Sequence, residues 1–425
     1  MRFSGFDDEW KVFRINDLVD SVVAGATPKT SINQYWKNGT IPWLSSGEVH
    51  KKFVYETDKL ITSEGYNNSS TKLVPKNSVL IALAGQGKTR GTVAINKINL
   101  CTNQSIATII PKDGLLDYMY LFYDFQKKYN YLRALSSSDG GRGGLNLKLI
   151  KSIKINIPKI TEQKKISNFI FKVDKKISFL EQKIEQYHNF KKYLMQQIFA
   201  QKLRFDYEEY TLKEICEKIE NGFSGTQVPY KTQFPVTRIE TISSGKINYE
   251  KVGFVDEISE RYKLKNGDIL LTNINSLKWI GNAVYYDGKQ ELYHGMNLML
   301  LRTKKDFNSK YLYYYISYNN NWFKKMACQA VNQASINKTT LEKFKIKFPS
   351  ITDQNNISNV LTLTDEKIQS IQNKIELTNK FKKGLLQQMF VVRINWRCNF
   401  KLAKSPSFNK HLLILKNKII FIIIK

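Results

Sequence analysis

Two stretches of the chain place apolar side chains at alternating steps of four and three residues. In residues 160–199 this series runs from Ile166 to Ile198, and in residues 351–390 it runs from Ile357 to Met389. Alternating steps of four and three are the a/d seam of a coiled coil, in which two helices bury one apolar stripe against each other. Each stretch therefore predicts one helix of about 40 residues, roughly 60 Å long at the usual rise per residue.

A single helix with this stripe would leave its seam in water, so we expect the two helices to pair within the chain. The alternative is two separate amphipathic helices, each packed on its own globular domain. Pro158 and Pro349 stand just ahead of the two stretches, and Thr161 and Thr352 are the expected N-caps. The principal seam positions are Ile166, Ile170, Ile177, Leu180, Ile184 and Leu194 in the first helix and Ile357, Leu361, Ile368, Ile371, Ile375 and Leu385 in the second.

The two helical stretches are copies of each other. They align without a gap at a constant offset of 191 residues, and Ile-Thr-x-Gln, Ile-Ser-Asn, Phe-Lys-Lys and Gln-Gln-x-Phe recur in both. A weaker similarity continues upstream, where GLNLKLIKSIKINIP and SINKTTLEKFKIKFP both end in proline at the same offset. A repeat of this length indicates a duplicated unit. The organisation that follows is a globular domain at 1–155, a helix at 156–203, a second globular domain at 204–347, a second helix at 348–392 and an atypical tail at 393–425.

The globular segments carry mainly strand patterns. Short apolar or β-branched runs such as SVLIALA, GTVAI and DILLTNI are bounded by Gly, Asn or Asp. Helical patterns are limited to the neighbourhoods of residues 117–135 and 309–326. The expected fold class is α+β, with two globular domains that are each followed by a long helix, and with the two helices pairing as an antiparallel coiled coil.

The net charge of the chain indicates the class of its binding partner. The chain has 66 Lys and Arg against 37 Asp and Glu, a net charge of +29. A field of this sign favours a polyanion, because each neutralised phosphate releases condensed counterions. A basic soluble protein such as a ribosome-associated one is the alternative. We expect a cytoplasmic location, since the four cysteines are far apart and neither a signal peptide nor a run long enough to span a membrane is evident.

The stretch ALAGQGKT (82–89) nearly matches the sequence motif of a phosphate-binding loop. Ala82, Gly87, Lys88 and Thr89 satisfy the letters of the motif, and a strand precedes them. A phosphate-binding loop must open a helix, whereas residues 90–95 are RGTVAI, which is β-branched and contains another glycine. We therefore expect a turn between strands. The prolines are never adjacent, which excludes an amino-methyltransferase Pro-Pro-Tyr motif, and no catalytic or metal-binding constellation is apparent.

Several turns nevertheless combine short polar side chains with lysine or arginine, which can donate to phosphates and base edges. Each of these residues could equally be part of a solvated turn. The candidate DNA-binding residues are Lys29, Thr30, Ser45, Ser46, Gln86, Lys88, Thr89, Arg90, Arg142 and Asn146 in the first half and Asn273, Asn275, Lys278 and Asn337 in the second.

The chain resembles the specificity subunits of type I restriction–modification systems. The matching stretches are GATPKTSINQYWKNGTIPWLSSGEV (25–49), ALAGQGKTRGTVAI (82–95), NQSIAT (103–108), INIPKITEQKKIS (155–167), FPSITDQNNIS (348–358) and FKKGLLQQMF (381–390). The resemblance implies a chain without catalysis of its own, in which two target recognition domains read the halves of a bipartite, asymmetric DNA site. It also implies that the paired helices fix the distance between the halves and dock two methyltransferase subunits, with restriction and translocase subunits completing the complex.

The same resemblance assigns S-adenosylmethionine, ATP and magnesium to the partner subunits and no cofactor or metal to this chain. Two other functions stay open, namely a stand-alone basic nucleic-acid-binding protein and a P-loop ATPase. A methylation-only system is a third possibility. Residues 393–425 depart from the family, because they carry eight Lys or Arg and no acid. We expect a tail added by a shifted or extended reading frame, and a functional tail is the alternative.

Overall fold

A computed structural model describes residues 2–85, 87–135, 144–243, 245–330 and 333–390. The described chain divides into two compact units. The first unit contains the residues up to Phe171 together with the chain from Lys382, and the second unit is Lys172–Phe381. Each long helix therefore contributes residues to both units. The tail predicted at 393–425 lies outside the described residues.

The first unit is built on two sheets. Its elements are β1 (Lys11–Arg14), β2 (Val19–Ala24), β3 (Ile41–Leu44), β4 (Phe53–Val54), β5 (Lys59–Ile61), α1 (Ser63–Asn67), β6 (Leu73–Val74), β7 (Val79–Ala82), β8 (Val93–Asn96), β9 (Leu100–Thr102), β10 (Ile106–Pro111), α2 (Tyr118–Lys127), α3 (Tyr129–Leu135), α4 (Leu147–Ser152), β11 (Lys154–Ile157) and the start of α5 (Ile160–Phe199). One sheet has the order β2-β10-β7-β8-β4 and the other has the order β5-β3-β9-β6, while β1 pairs with β11. In the larger sheet only the β4–β8 pair is parallel.

The second unit has the same arrangement of strands around a smaller central sheet. Its elements are the later part of α5, β12 (Glu208–Thr211), α6 (Leu212–Ile215), β13 (Cys216–Asn221), β14 (Phe234–Val236), α7 (Ile239–Ile242), β15 (Gly253–Val255), β16 (Ile269–Thr272), β17 (Ile274–Asn275), β18 (Ala283–Tyr285), β19 (Leu298–Thr303), α8 (Ser309–Tyr318), α9 (Asn320–Met326), β20 (Cys328–Ala330), β21 (Gln333–Ser335), α10 (Lys338–Glu342), β22 (Lys345–Phe348) and most of α11 (Ile351–Met389). The central sheet has the order β13-β19-β16-β18, and β12 pairs with β22. The same strand order is present in both units, with β2, β10, β7 and β8 of the first unit corresponding to β13, β19, β16 and β18 of the second.

Hydrogen bonds reproduce the 191-residue offset of the sequence repeat. The hydroxyl of Tyr120 donates to the carbonyl of Asn156 at 2.8 Å, and the hydroxyl of Tyr311 donates to the carbonyl of Lys347 at 2.9 Å. The ring of Phe390 lies 4.9 Å from that of Tyr120, and the ring of Phe199 lies 5.6 Å from that of Tyr311. The duplication is therefore present in the packing as well as in the sequence.

Helices α5 and α11 pack together, as the heptad pattern predicts. In the second unit the ammonium of Lys191 lies 2.7 Å from a carboxylate oxygen of Asp365. Further along α5, Ile198 belongs to the same buried cluster as Ile357 and Leu361. Because later residues of α5 meet earlier residues of α11, the pair is antiparallel. The alternative of two separate amphipathic helices is thereby excluded.

Most of the principal seam positions of the two long helices are buried. Ile166, Ile170, Ile177 and Leu180 are buried, and so are Ile357, Leu361, Ile368, Ile371 and Leu385. Ile184, Leu194 and Ile375 are half-buried. The hydrophobic cluster of the second unit includes residues of α5, α8 and α11, so the helices pack against a globular core as well as against each other.

The predicted N-caps of the long helices were wrong, whereas the two predicted helical regions of the globular segments are confirmed. The long helices begin at Ile160 and Ile351, so Thr161 and Thr352 lie inside the first turn and are not N-caps. At the second helix Ser350 performs this role, because its hydroxyl accepts from the amide of Asp353 at 3.2 Å. The helical patterns at 117–135 and 309–326 are each divided into two helices, since a cap residue separates α2 from α3 and α8 from α9.

No helix in the part of the chain that the structure describes is long and apolar enough to cross a membrane.

Candidate nucleic-acid interface

The stretch that resembles a phosphate-binding loop is the turn of a β-hairpin. Strands β7 and β8 pair antiparallel with Ile81 opposite Val93, and the amide of Gly91 donates to the carbonyl of Ala82 at 2.9 Å. Gly85, Gly87 and Gly91 have φ values of 126°, 62° and 80°, which disfavour other residues. A strand rather than a helix follows the turn, so it does not offer a helix N-terminus to a nucleotide phosphate. The prediction of a turn between strands is confirmed.

Helix α3 holds this turn, which we call the first reading turn (residues 83–92). The guanidinium of Arg133 donates to the carbonyl of Gly87 at 2.6 Å, and the hydroxyl of Tyr129 donates to the carbonyl of Lys88 at 2.8 Å. Lys88 is exposed, while Thr89 and Arg90 are half-buried. Gln86 lies outside the described residues, as does Arg142.

Neighbouring loops of the first unit contact the same end of its sheets. The amide of Leu83 donates to the carbonyl of Ser105 at 2.8 Å, and the hydroxyl of Thr27 donates to the side-chain oxygen of Gln104 at 2.6 Å. A Cβ added to Gly25 would lie 1.8 Å from the carbonyl oxygen of Thr102, so only glycine allows this close approach. The loops at 25–31, 83–92 and 103–105 thus lie together.

The other candidates of the first unit fall into two groups. Lys29 and Thr30 are exposed, and the carbonyl of Lys29 accepts from the indole nitrogen of Trp36 at 3.2 Å. Ser45 is engaged locally, because its hydroxyl donates to the carboxylate of Glu48 at 3.1 Å. Ser46 is half-buried at the start of a 3-10 helix. The exposed side chain of Asn146 caps helix α4 by accepting from the amide of Leu149 at 2.9 Å.

In the second unit three of the four candidates lie together around residues 273–275 and 335–337. The amide of Ile336 donates to the carbonyl of Asn273 at 2.8 Å, and β17 pairs with β21. A cavity of about 370 Å³ opens here, and its polar lining comprises Asn221, Ser224, Asn273, Asn297, Ser335, Asn337 and Lys338. Asn337 also caps helix α10 by accepting from the amide of Thr340 at 2.8 Å.

The second reading turn is the equivalent hairpin turn between β16 and β18, residues 273–282. Asn273 at its start is only 3% exposed, whereas Asn275 is half-buried and Lys278 is exposed. The ammonium of Lys278 lies 4.9 Å from the centre of the Trp279 ring, which holds the cation near the surface of the turn. The two reading turns therefore occupy equivalent places in the duplicated fold but present different chemistry.

Burial shifts the pKa of three titratable side chains in the cores of the two units. Burial raises the pKa of the Cys101 thiol to about 11 and that of the Cys216 thiol to about 12, so both stay protonated at neutral pH. Burial lowers the pKa of His294 to about 4, so its ring is neutral. Within the ranges that the structure describes, no three His, Cys, Asp or Glu side chains are placed to hold a metal ion.

Sequence reasoning missed the residues that support the turns. The sequence pattern places Tyr129, Arg133 and Asn320 in helices but does not mark them as contacts of the turns. Asn221 and Asn297 lie in no motif. One signal could have found Asn320, because it stands 191 residues after Tyr129. The offset alone does not reveal that both side chains contact a hairpin turn.

The chain is similar to known proteins along most of its length. The family model described as type I restriction modification DNA specificity domain matches residues 7–187 and again residues 205–379. A protein described as the MjaX type I restriction enzyme specificity subunit of Methanocaldococcus jannaschii is 42% identical over 46% of this chain and 48% of its own length. The chain thus spans about half the length of this relative. The MjaVIII specificity subunit of the same organism is 24% identical over 89% of each chain.

The fold is also found among solved structures. The crystal structure of the S subunit of a type I restriction–modification system from M. genitalium matches with a TM-score of 0.62 at 16% identity, over 92% of this chain and 98% of that one. At this identity the match establishes the fold alone. Because the family model matches twice and covers most of the sequence, the chain belongs to the type I restriction modification DNA specificity family and contains two copies of its domain.

Proposed function

We propose that this chain is the DNA sequence-specificity subunit of a type I restriction–modification complex and has no catalytic activity of its own. Each recognition domain reads one half of a bipartite, asymmetric double-stranded DNA site in the cytoplasm. The observation that carries the proposal is the pair of reading turns, which stand at equivalent places in a duplicated fold and differ in their side chains. Two unlike readers suit a site with two unrelated halves.

The charge of the chain supports a nucleic-acid partner. A net charge of +29 favours binding to a phosphate backbone through counterion release. Exposed Lys29, Lys88 and Lys278 lie in the candidate turns, where they can contact phosphates or guanine edges. Phosphate contacts would position the two domains, and base contacts from the turns would supply the sequence preference.

The partner subunits follow from the family. Two methyltransferase subunits would dock on the paired helices and restriction and translocase subunits would complete the assembly. Exposed apolar side chains on those helices, including Phe179, Phe190, Leu363 and Leu377, suit such docking. S-adenosylmethionine, ATP and magnesium would be bound by the partners, where methyl transfer and DNA cleavage would take place.

The test is co-expression with the modification subunit, followed by a genome-wide map of methylated adenines. A split motif with a fixed gap is the expected result. Lys88→Ala and Lys278→Ala form a matched pair, because each removes one exposed lysine from one reading turn. We expect each substitution to lower methylation of the split motif while the assembled complex persists.

Three results would count against the proposal. A complex without any split mark would contradict the reading function, and the absence of both complex and mark would favour a stand-alone nucleic-acid-binding protein. A mark consisting of one contiguous motif would contradict two separate readers. The salt dependence of DNA binding adds an independent check, since loss of one phosphate contact lowers the slope of log K against log salt by about one.

A further inference from the structure

Three donors converge on two neighbouring carbonyls of the first reading turn. The carbonyl of Gly87 accepts from the guanidinium of Arg133, and the carbonyl of Lys88 accepts from the hydroxyls of Tyr129 and Thr92 at 2.8 and 2.9 Å. Arg133 also donates to the hydroxyl of Tyr129 at 3.1 Å, and its guanidinium lies 5.6 Å from the centre of that ring. Two side chains of helix α3 are therefore joined to each other and to the backbone of the turn.

Close packing brings the helix to the end of the same turn. A Cβ added to Gly91 would lie 3.4 Å from the side chains of Leu132 and Arg133. Gly91 has a positive φ of 80°, so a larger residue here would also be strained. The turn is held both by hydrogen bonds to its carbonyls and by contact at this glycine.

The second unit repeats the arrangement with different chemistry. Helix α9 lies against the second reading turn, where a Cβ added to Gly281 would lie 2.5 Å from the Cβ of Phe323. The side-chain nitrogen of Asn320 is 3.4 Å from the carbonyl of Ile280 and 3.3 Å from the side-chain oxygen of Asn282. Asn320 and Phe323 stand 191 residues after Tyr129 and Leu132, so the same helix supports the same hairpin turn in both units.

We propose that Tyr129 and Arg133 are positioning residues for the first reading turn, and that Asn320 has this role for the second. The inference rests on the proposed function, because it assumes that the turns contact DNA. A turn containing three glycines with positive φ has much conformational freedom to lose. Base contacts depend on donors held close to their bonding geometry, so anchoring the turn before binding lowers the entropy lost and sharpens discrimination between bases.

Tyr129, Arg133 and Asn320 act through the backbone of the turns and do not contact DNA themselves. Their substitution should therefore lower discrimination between bases more than it lowers formation of the complex with the modification subunit. The test compares the double variant Tyr129→Phe/Arg133→Met with Asn320→Ala, each in the full complex with its modification subunit. Tyr129→Phe keeps the aromatic ring and removes only the hydroxyl, and Arg133→Met keeps most of the side-chain length. Both replaced side chains are half-buried, so the fold should tolerate the changes.

Methylation is measured at the native split motif and at motifs with one altered base in either half. For the double variant we expect discrimination in one half of the motif to fall about tenfold, the size of one good base contact, while the other half is unchanged. Asn320→Ala should lower discrimination in the opposite half of the motif. The factor should be smaller than for the double variant, because the hydrogen bonds of Asn320 are longer. Restoring Arg133 alone should recover part of the discrimination.

A second readout does not depend on DNA. Amide hydrogen exchange of residues 87–92 should become faster in the double variant and stay unchanged in Asn320→Ala, which should affect residues 278–283 instead. Unchanged amide exchange in both turns would overturn the inference. So would an equal loss of base discrimination in both halves of the motif for either variant, or no loss of discrimination for both variants. If the unsubstituted complex leaves no split mark, the proposed function fails, and the exchange result alone then decides whether the helices position the turns.

Discussion

Replacement of Gln163 by leucine should destabilise the contact between helix α5 and the beginning of helix α2. Gln163 is fully buried, and its side-chain nitrogen donates to the carbonyls of Leu115 and Pro158, each at 2.9 Å. Its side-chain oxygen accepts from the amide of Asp117, also at 2.9 Å. One side chain thus satisfies three backbone groups, of which the Pro158 carbonyl is buried and the other two are part-buried.

The expected cost follows from these three bonds. A buried hydrogen bond contributes about 1 kcal/mol net and an orphaned backbone group costs more, so the loss of three bonds gives roughly 3–5 kcal/mol. Burial of the new leucine side chain offsets about 1 kcal/mol of this. We therefore expect the junction to lose about 3 kcal/mol of local stability. This corresponds to about a hundredfold faster exchange of the Asp117 amide when the opening equilibrium sets the exchange rate.

The duplicated unit provides a matched control. Gln354 is also buried, and it accepts from the amide of Asn308 and donates to the carbonyl of Pro349, both at 2.9 Å. Gln354→Leu should accelerate exchange at Asn308 and leave Asp117 unchanged, and Gln163→Leu should do the converse. Local exchange is the suitable assay, because a chain with two units need not unfold in a single transition.

Two results would contradict this prediction. An increase of less than about threefold at Asp117 would mean a net loss below about 0.7 kcal/mol, far under the roughly 3 kcal/mol expected. Equal acceleration at both amides in either variant would mean that the substitutions destabilise the whole chain and not one junction.

Three further predictions concern other parts of the molecule. Lys191→Met should lower the unfolding free energy of the helix pair by about 1 kcal/mol, as expected for a partly exposed ion pair. A double-mutant cycle with Asp365→Leu should show that most of this loss is the interaction energy between the two residues. Additive effects of the two substitutions would contradict a direct interaction. The lowered pKa of His294, about 4 against 6.5, means that its contribution to stability is complete above pH 6.5 and is lost as pH falls towards 4, by roughly 3 kcal/mol. His294→Gln should flatten this dependence in denaturation curves across that window, and an unchanged slope would exclude His294 as its source. Because β8 follows the first reading turn, calorimetry should detect no saturable ATP binding by this chain, before or after Lys88→Ala, and binding that disappears with this substitution would revive the ATPase alternative.

The sequence alone determined the features that depend on periodicity and repetition. The seven-residue pattern predicts the long helices, which run from Ile160 to Phe199 and from Ile351 to Met389, because every seam residue must face one stripe of a helix. The constant offset predicts the duplication, and the β-branched residues after Thr89 predict a hairpin in place of a phosphate-binding loop. These are local signals, since the side chains that produce them are neighbours in sequence.

Contacts between residues far apart in the sequence depend on how the chain packs. Only the fold shows that Tyr129 and Arg133 reach the carbonyls of the first reading turn, more than 40 residues earlier in the chain. Only the fold shows that Asn273, a polar residue in a turn, is buried beside Asn337. Such contacts depend on how strands and helices pack, and no periodic pattern encodes which side chain stands opposite a given backbone group. Periodicity therefore fixed the framework of this protein, while long-range packing fixed the shape and support of the turns with which it would read DNA.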